Sequence, residues 1–548
     1  MTMNVAEFLL SRLKTLGVDH VFGIPGDYIL PFFEILEQSD LQHVLPCNEL
    51  NGGYAADGYA RLRGVGAMAV TYGPGAFSLV NATAAAYAER SPVIVISGGP
   101  PLKAYRDQPL MHHIMPGRFD ASVKIFEQVT VGAKVLSDPA SAVADIDELL
   151  RLAVQESRPV YLEIPQDLQR QACGPVPEWF CPDPTGDEDA TTAALDMLVE
   201  RLEKSKSCVL LVGHEVRAAG LEAPLRALVD RTGVAVATVF SGRPDFLEDH
   251  PRCIGLYHGL GSLDPIKEFV EGADTVIWFG AVASDFNKGG STAKLSREQE
   301  IRIFDDRVDA AEDSFAHVRL GDVVAGLLER LPEGHWAHLD PPRRGYGHLA
   351  GSDYRAESDT AITNQRFYDR LANFLGESDV ILADAGPSIN MCYLEIPPGA
   401  RFIVSGYWAS IGGGFGMSLG ACIGADSQQR VIAVEGDGSI QMTAQELSTM
   451  IRYGKTPVVF VMNNRGYTAE RLIHEGQFND IQNWQYWRLP EVFGGVAGSE
   501  VRTEGDLEDA LDRAAQHEGP GPLVIEVHLD PFDVSEAFAR MSEGLRSR

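Results

Sequence analysis

Basic residues are the scarce ones in this sequence. The 548 residues include 46 Lys and Arg against 77 Asp and Glu, a formal net charge of −31. So acidic a surface repels phosphate backbones and anionic headgroups, which excludes nucleic acid and charged membranes as principal partners. Cysteine is sparse and unpatterned: the seven (Cys47, Cys173, Cys181, Cys208, Cys253, Cys392, Cys422) are odd in number and form no Cys-x-x-Cys pair. That excludes a disulfide framework and argues against structural zinc. Long apolar runs are missing too, and none reaches the ~20 residues of a membrane helix. Met1–Leu16 is amphipathic and lacks the continuous apolar core of a secretory leader. The expected location is the cytoplasm, and the expected partner is a small molecule held by local donors.

The composition is that of an ordinary globular protein, 45% hydrophobic and 22% charged. At about 150 residues per domain the length predicts three or four domains. Short apolar runs alternate with helical stretches, the signature of parallel sheets covered by helices. Irregular stretches at 174–192 and 332–359 separate three such segments, giving expected domains at 1–173, 193–331 and 360–548. The fold class is therefore α/β, with three doubly wound parallel-sheet domains. Among the helices, 77–89 reads as one, and 141–155 as another with Ser141 as its N-cap.

The most informative stretch is Gly436–Asn464. An apolar run, Val431–Val434, reads as a buried strand and leads into Gly436-Asp437-Gly438-Ser439. A helix follows, signalled by a capping box Thr443-x-x-Glu446 and stopped at Gly454. A second apolar run, Val458–Val461, ends in Asn463-Asn464, with 24 residues between Gly438 and Asn463. Both polar clusters fall at strand carboxyl ends, where open α/β sheets place ligands. Asp437 offers a hard carboxylate and Asn464 a carbonyl oxygen, a set suited to Mg²⁺ or Ca²⁺. Gly436 and Gly438 let backbone amides approach an anion. The stretch predicts a metal-bridged diphosphate.

Other acid–base residues are scattered. Asp27 follows Phe22-Gly23-Ile24-Pro25-Gly26; on local sequence alone it fits a helix cap better than a catalytic group. Glu49 stands at the head of a helix, where dipole chemistry alone would explain it. His112 and His113 are adjacent, which is not a helical metal-pair spacing. Glu470 lies six residues beyond Asn464 and opens a short helix expected at 470–474.

The Gly-Asp-Gly and Asn-Asn clusters at this spacing resemble the diphosphate motif of thiamine diphosphate enzymes. With Asp27, Asn48-Glu49, Tyr54–Arg61, His112-His113, Ser284–Asn287 and Asn464–His474, essentially the whole chain is similar to the 2-keto acid decarboxylase branch, which includes the pyruvate, indolepyruvate and phenylpyruvate decarboxylases. The resemblance implies thiamine diphosphate and Mg²⁺ as cofactors, with the metal on Asp437, the Asn464 side chain and the Gly466 carbonyl. It sets the cofactor against Ala385, Ala409, Ile411, Gly436, Asp437, Gly438, Ser439, Asn464 and Gly466. Ile411 resembles the apolar wedge that folds the cofactor, and Glu49 the partner of its aminopyrimidine N1′. Asp27, His113 and Glu470 are implied as proton carriers, with His112 in support. In the family these groups come from different subunits, which implies at least a homodimer and commonly a homotetramer.

Three positions carry less volume than in pyruvate-selective relatives: Ala469 where those carry Ile, Ile389 near a Trp, and Met541 near a second bulky aromatic. With Phe286 and Ile473 they define a pocket expected to favour aromatic or long and branched aliphatic 2-keto acids over pyruvate. The alternatives are a pyruvate-selective decarboxylase, or a carboligase or synthase on the same fold. A nicotinamide-binding reading of Gly412-Gly413-Gly414-Phe415-Gly416 is weak without a ribose-binding acid. Asp384-Ala385-Gly386 replaces the family's common hydroxyl-bearing turn, and Leu211–Glu215 lacks the cysteine tied to substrate activation in yeast pyruvate decarboxylases.

Overall fold

The computed structural model describes residues 3–546 except 183, 244, 305 and 350. Nineteen strands are described, in three sheets. The first sheet contains β1 (His20–Gly23), β2 (Gln42–Val44), β3 (Gly66–Val70), β4 (Val93–Gly99), β5 (Gly132–Val135) and β6 (Val160–Pro165). All pairings are parallel, in the order β2-β1-β3-β4-β6-β5. β3, β4 and β6 are buried at every residue, as strands covered by helices on both faces must be.

The middle sheet contains β7 (Cys208–Val212), β8 (Ala235–Thr238), β9 (Cys253–Leu256), β10 (Thr275–Phe279), β11 (Glu300–Phe304), β12 (Arg307–Ala310) and β13 (Asp313–Ala316). Its order is β13-β12-β11-β10-β7-β8-β9. β12 and β13 pair antiparallel at one edge of a sheet whose other strands run parallel, so the α/β parallel-sheet expectation holds with an antiparallel addition. Those two strands are four residues each, and β13 has no buried residue. They form an edge hairpin too short for its alternation to register in sequence.

The third sheet contains β14 (Asp379–Ala383), β15 (Arg401–Val404), β16 (Arg430–Gly436), β17 (Val458–Asn463), β18 (Ser499–Val501) and β19 (Leu523–His528). It is all parallel, in the order β15-β14-β16-β17-β19-β18. Counted from its own first strand, that order is the same as the first sheet's.

Two helices join the outer sheets, Glu49–Arg63 and Gly413–Gly424. A Cβ on Gly420 would sit 1.8 Å from the Ala55 carbonyl oxygen, and one on Gly58 would sit 2.1 Å from that of Met417. The glycine-rich run beginning at Gly412 therefore serves helix packing, not a dinucleotide. One apolar cluster, from Phe22 through Tyr59 and Phe415 to Val524, crosses from sheet to sheet.

Two helix expectations are corrected. Residues 77–89 fall in two helices, Pro74–Ser78 and Val80–Ala88. The later helix begins at Pro139, capped by Asp138, whose side chain accepts from the Ala140 amide at 2.9 Å. Proline at the first helical position needs no donor partner, which fixes the start there.

Candidate active site

The third sheet builds the buried half of the site. β16 runs through Gly436, and a helix begins at once with Asp437 (Asp437–Thr443), so no loop separates strand from helix. Asp437 is 1% exposed. Its Oδ1 accepts from the Gly438 amide at 2.7 Å and its Oδ2 from the Gly466 amide at 3.0 Å. Burial pushes the carboxyl up to about 6, against backbone amides that favour the charge. The Asn464 Oδ1 is shielded from solvent and has no hydrogen-bond partner among the described residues. An ionisable carboxylate and an orphaned carbonyl oxygen at neighbouring strand ends are the donor set a hard divalent cation requires. Gly466, at φ +143°, must be glycine, because a Cβ there would meet the Asn479 carbonyl oxygen at 2.0 Å.

The expected capping box is not formed. The next helix, Glu446–Arg452, has Gln445 at its N-cap with no side-chain bond. Thr443 Oγ1 donates to the Gly412 carbonyl instead. Glu446 accepts from the Cys47 amide at 3.0 Å and from Asn51 Nδ2 at 2.7 Å, tying the third sheet to the helix that Glu49 begins. Tertiary partners outcompete the local cap.

A cleft opens beside Asp437, with an empty volume of about 1130 Å³, its open mouth included. Gly436, Gly438, Ser439, Asn464 and Gly466 line it with Asp437, as do Ala385, Ala409 and Ile411. Ala409 takes a positive φ of 55°, and Ile411 is 37% exposed at the mouth. Glu470 is exposed at the rim, on the helix Thr468–Ile473, which starts two residues earlier than expected. Phe286, Ile389 and Ala469 line the cleft and belong to one apolar cluster with Phe240, Phe538 and Met541. Met541 is 1% exposed and backs this wall without reaching the cleft surface. Ile473, at the end of its helix, is 39% exposed and also lies outside the lining.

The first sheet carries the other predicted residues, and none of them lines that cleft. Asp27 begins a 3₁₀ turn, Asp27–Ile29, but makes no side-chain cap bond, so the cap reading is replaced. Its Oδ2 lies 2.6 Å from His112 Nε2, and its Oδ1 3.7 Å from His113 Nδ1. Tyr28 stacks on His112 at 5.3 Å. His113 takes φ +64° and its carbonyl fits against Gly73, where any Cβ would lie 2.1 Å away. All three side chains remain solvent-accessible, at 44% for Asp27, 62% for His112 and 33% for His113. Glu49 is the first residue of its helix, with Asn48 as a true N-cap accepting from the Asn51 amide. The cluster of Asp27 with both histidines was foreseeable only in part, since 85 residues separate Asp27 from His112.

Sequence reasoning passed over a buried acid pair behind the cleft. Asp384 accepts from the Ala385 and Gly414 amides at 2.6 and 2.9 Å. Glu435 lies beside it, and both carboxyls are fully buried and raised, by burial first. A glutamate inside the apolar β16 run was the available signal.

Three parallel-dominated sheets and a diphosphate-type site define a thiamine diphosphate enzyme. Three family models match: the thiamine pyrophosphate enzyme N-terminal TPP binding domain over residues 3–122, the central domain over 195–331, and the C-terminal TPP binding domain over 386–527. The chain is 36% identical to an indole-3-pyruvate decarboxylase of Azospirillum brasilense, over 99% of this chain and 98% of that protein. It is 30% identical to a pyruvate decarboxylase of Aspergillus fumigatus (100% and 97%) and 33% identical to pyruvate decarboxylase 2 of Arabidopsis thaliana (97% and 89%). The chain belongs to the thiamine diphosphate-dependent 2-keto acid decarboxylase family. No helix among the described residues is long and apolar enough to cross a membrane.

Proposed function

We propose that this enzyme decarboxylates aromatic or long and branched aliphatic 2-keto acids, in preference to pyruvate, to the aldehyde and CO₂. We propose further that it works with Mg²⁺ as a cytoplasmic homodimer or homotetramer. The observation that carries the size preference is the apolar wall of Phe286, Ile389 and Ala469, in which the smallest residue stands next to Glu470.

The residues present fit the cofactor. Asp437, Asn464 and the Gly466 carbonyl would hold the metal; Gly436, Gly438 and Ser439 would face the diphosphate at a helix N-terminus. Ala385, Ala409 and Ile411 would line the rings. When bound, thiamine diphosphate supplies the nucleophilic carbon and the electron sink for loss of CO₂. The protein supplies position and protons. Glu49 would hold a proton at N1′ of the aminopyrimidine. Asp27 fixes the His112 ring through its Nε2, and His112 packs edge-on against His113 at 4.7 Å, so the three groups act as one unit. With Glu470 they would hold the proton that the substrate carbon needs after CO₂ leaves. The apolar wall excludes water and disfavours the substrate's carboxylate charge.

The exposure of Asp27, His112 and His113, and their separation from the cleft lining, support a site completed by a second copy of the chain. A panel of kcat/KM values for pyruvate, phenylpyruvate and 4-methyl-2-oxopentanoate, with Mg²⁺ and thiamine diphosphate present, tests the reading. The larger acids are expected to win by about tenfold or more, the discrimination of at least one methylene. A preference for pyruvate would remove the size assignment.

A further inference from the structure

The buried end of the cleft is polar, and the reaction described above makes no use of it. Asn364, Tyr368 and Asn390 line the cleft and are 6%, 0% and 9% exposed. Asn364 Oδ1, the Tyr368 hydroxyl and Asn390 Oδ1 have no hydrogen-bond partner among the described residues. The Tyr368 hydroxyl lies within interaction range of the Asn390 side chain, whose Oδ1 is left without a partner. A buried polar atom left unmatched costs about 1–3 kcal/mol, so three of them in one cleft call for a ligand that supplies the missing bonds.

Their position says which part of the ligand. Asn390 follows Ile389 on the helix Ala385–Met391, and Ile389 is a wall of the apolar chamber. The Asn364 backbone N–H donates to Asp533 Oδ2 at 2.6 Å. Val534 follows Asp533, and Val534 and Phe538 belong to the same chamber. The polar atoms therefore share their two supporting segments with the apolar wall, while Glu470 stands at the exposed rim. A side chain entering past Glu470 and filling the chamber would bring its far end toward these segments. A purely hydrocarbon side chain would leave them unpaired.

We infer that Asn364, Tyr368 and Asn390 form a subsite for a hydrogen-bonding group, a hydroxyl or a ring N–H, at the far end of the 2-keto acid's side chain. The inference rests on the cleft being the 2-keto acid site. An O–H or N–H would donate to an asparagine oxygen, and a hydroxyl oxygen would also accept from Tyr368.

The test is kcat/KM of the wild-type holoenzyme for 4-hydroxyphenylpyruvate, phenylpyruvate, the size-matched 4-methylphenylpyruvate and indolepyruvate. The hydroxy acid is expected to exceed the methyl acid by about tenfold or more, since sites built for a hydrogen bond discriminate strongly against analogues without it. The indolepyruvate arm separates N–H from O–H recognition. In Tyr368→Phe and Asn390→Leu the hydroxy-to-methyl ratio is expected to fall to within about threefold of unity. Equal kcat/KM for the hydroxy and methyl acids in wild type would overturn the subsite and leave the decarboxylase reading standing. Variants that lose thiamine diphosphate affinity with the ratio intact would place these atoms at the cofactor and also overturn it. Turnover of none of the four acids would overturn the subsite together with the aromatic part of the proposed substrate class.

Discussion

Asp27 and Asp384 occupy the same topological place, each just past the first strand of a six-stranded sheet whose order is otherwise repeated strand for strand. Their surroundings are opposite. Asp27 is exposed and meets two imidazoles. Asp384 is fully buried and meets backbone amides and a second carboxyl. The same contrast holds for Glu49, half-buried at a helix start, against Asp437, 1% exposed at a helix start. One topology thus carries two kinds of half-site. The third sheet keeps a buried carboxylate and an unpaired carbonyl oxygen, the acceptors proposed to take the cation. The first keeps solvent-accessible acid–base groups outside that cleft, which on the proposed reading a second copy would cover.

Asp437→Asn should have the largest effect. It removes the buried carboxylate from the proposed metal set, so thermal stabilisation by thiamine diphosphate and Mg²⁺ is expected to vanish and activity to fall by about 10³ or more. The fold is expected to persist, and the apoprotein at neutral pH to melt no lower, because a carboxyl whose pKa is raised to about 6 costs stability once ionised above that pH. Glu49→Gln comes next, with activity down by about 10²–10⁴ and cofactor-dependent stabilisation retained. If Glu49→Gln lost cofactor binding as completely as Asp437→Asn, the division between a binding half and a reacting half would be broken. Mixing the two inactive variants sharpens the same point. Random re-pairing of subunits should restore roughly a quarter of the sites if each site draws on two chains. No recovery would put both halves in one chain.

The sequence made the third sheet's half legible because its ligands cluster within one βαβ unit, and fixed spacing is what a linear reading detects. Asp27 and Glu49 were legible as residues but ambiguous in role, since a helix start explains an acid equally well. The structure resolves Asp27 by giving its carboxylate to His112 and leaving the turn uncapped. The Thr443–Glu446 capping box was misread because both side chains found partners in distant segments, Gly412 for one and Cys47 and Asn51 for the other. The β12–β13 hairpin was missed because two four-residue edge strands bury too few side chains to alternate visibly. Asn364, Tyr368 and Asn390 could not have been found at all: what singles them out is an unmet hydrogen bond, a property of packing.

The wall of the cleft gives a smaller effect. Ala469→Ile adds bulk beside Glu470 and is expected to shift the phenylpyruvate-to-pyruvate ratio of kcat/KM by about tenfold toward pyruvate. The change belongs to the third sheet's half alone. Activity that fell equally for both acids would show that residue 469 positions Glu470 and does not select the substrate.

The smallest effect tests whether the first sheet is as wet as its exposed acid–base groups suggest. Glu163, on β6, is fully buried and accepts from the Tyr105 and Tyr161 hydroxyls. Tyr105 lies on the helix Leu102–Asp107, just ahead of the histidine pair. Burial raises Glu163 from 4.5 to about 7. The folded protein therefore holds this proton more tightly than the unfolded chain does. Stability from this group is full below about 4.5 and is lost as pH rises to about 7, by about 3 kcal/mol at 1.36 kcal/mol per unit. Glu163→Gln keeps an acceptor for one tyrosine and removes the titration. Its Tm is expected to vary less than that of wild type between pH 4.5 and 7. If the two slopes were the same, the loss of first-sheet stability with rising pH would lie in its exposed groups, and its contrast with the third sheet would be complete.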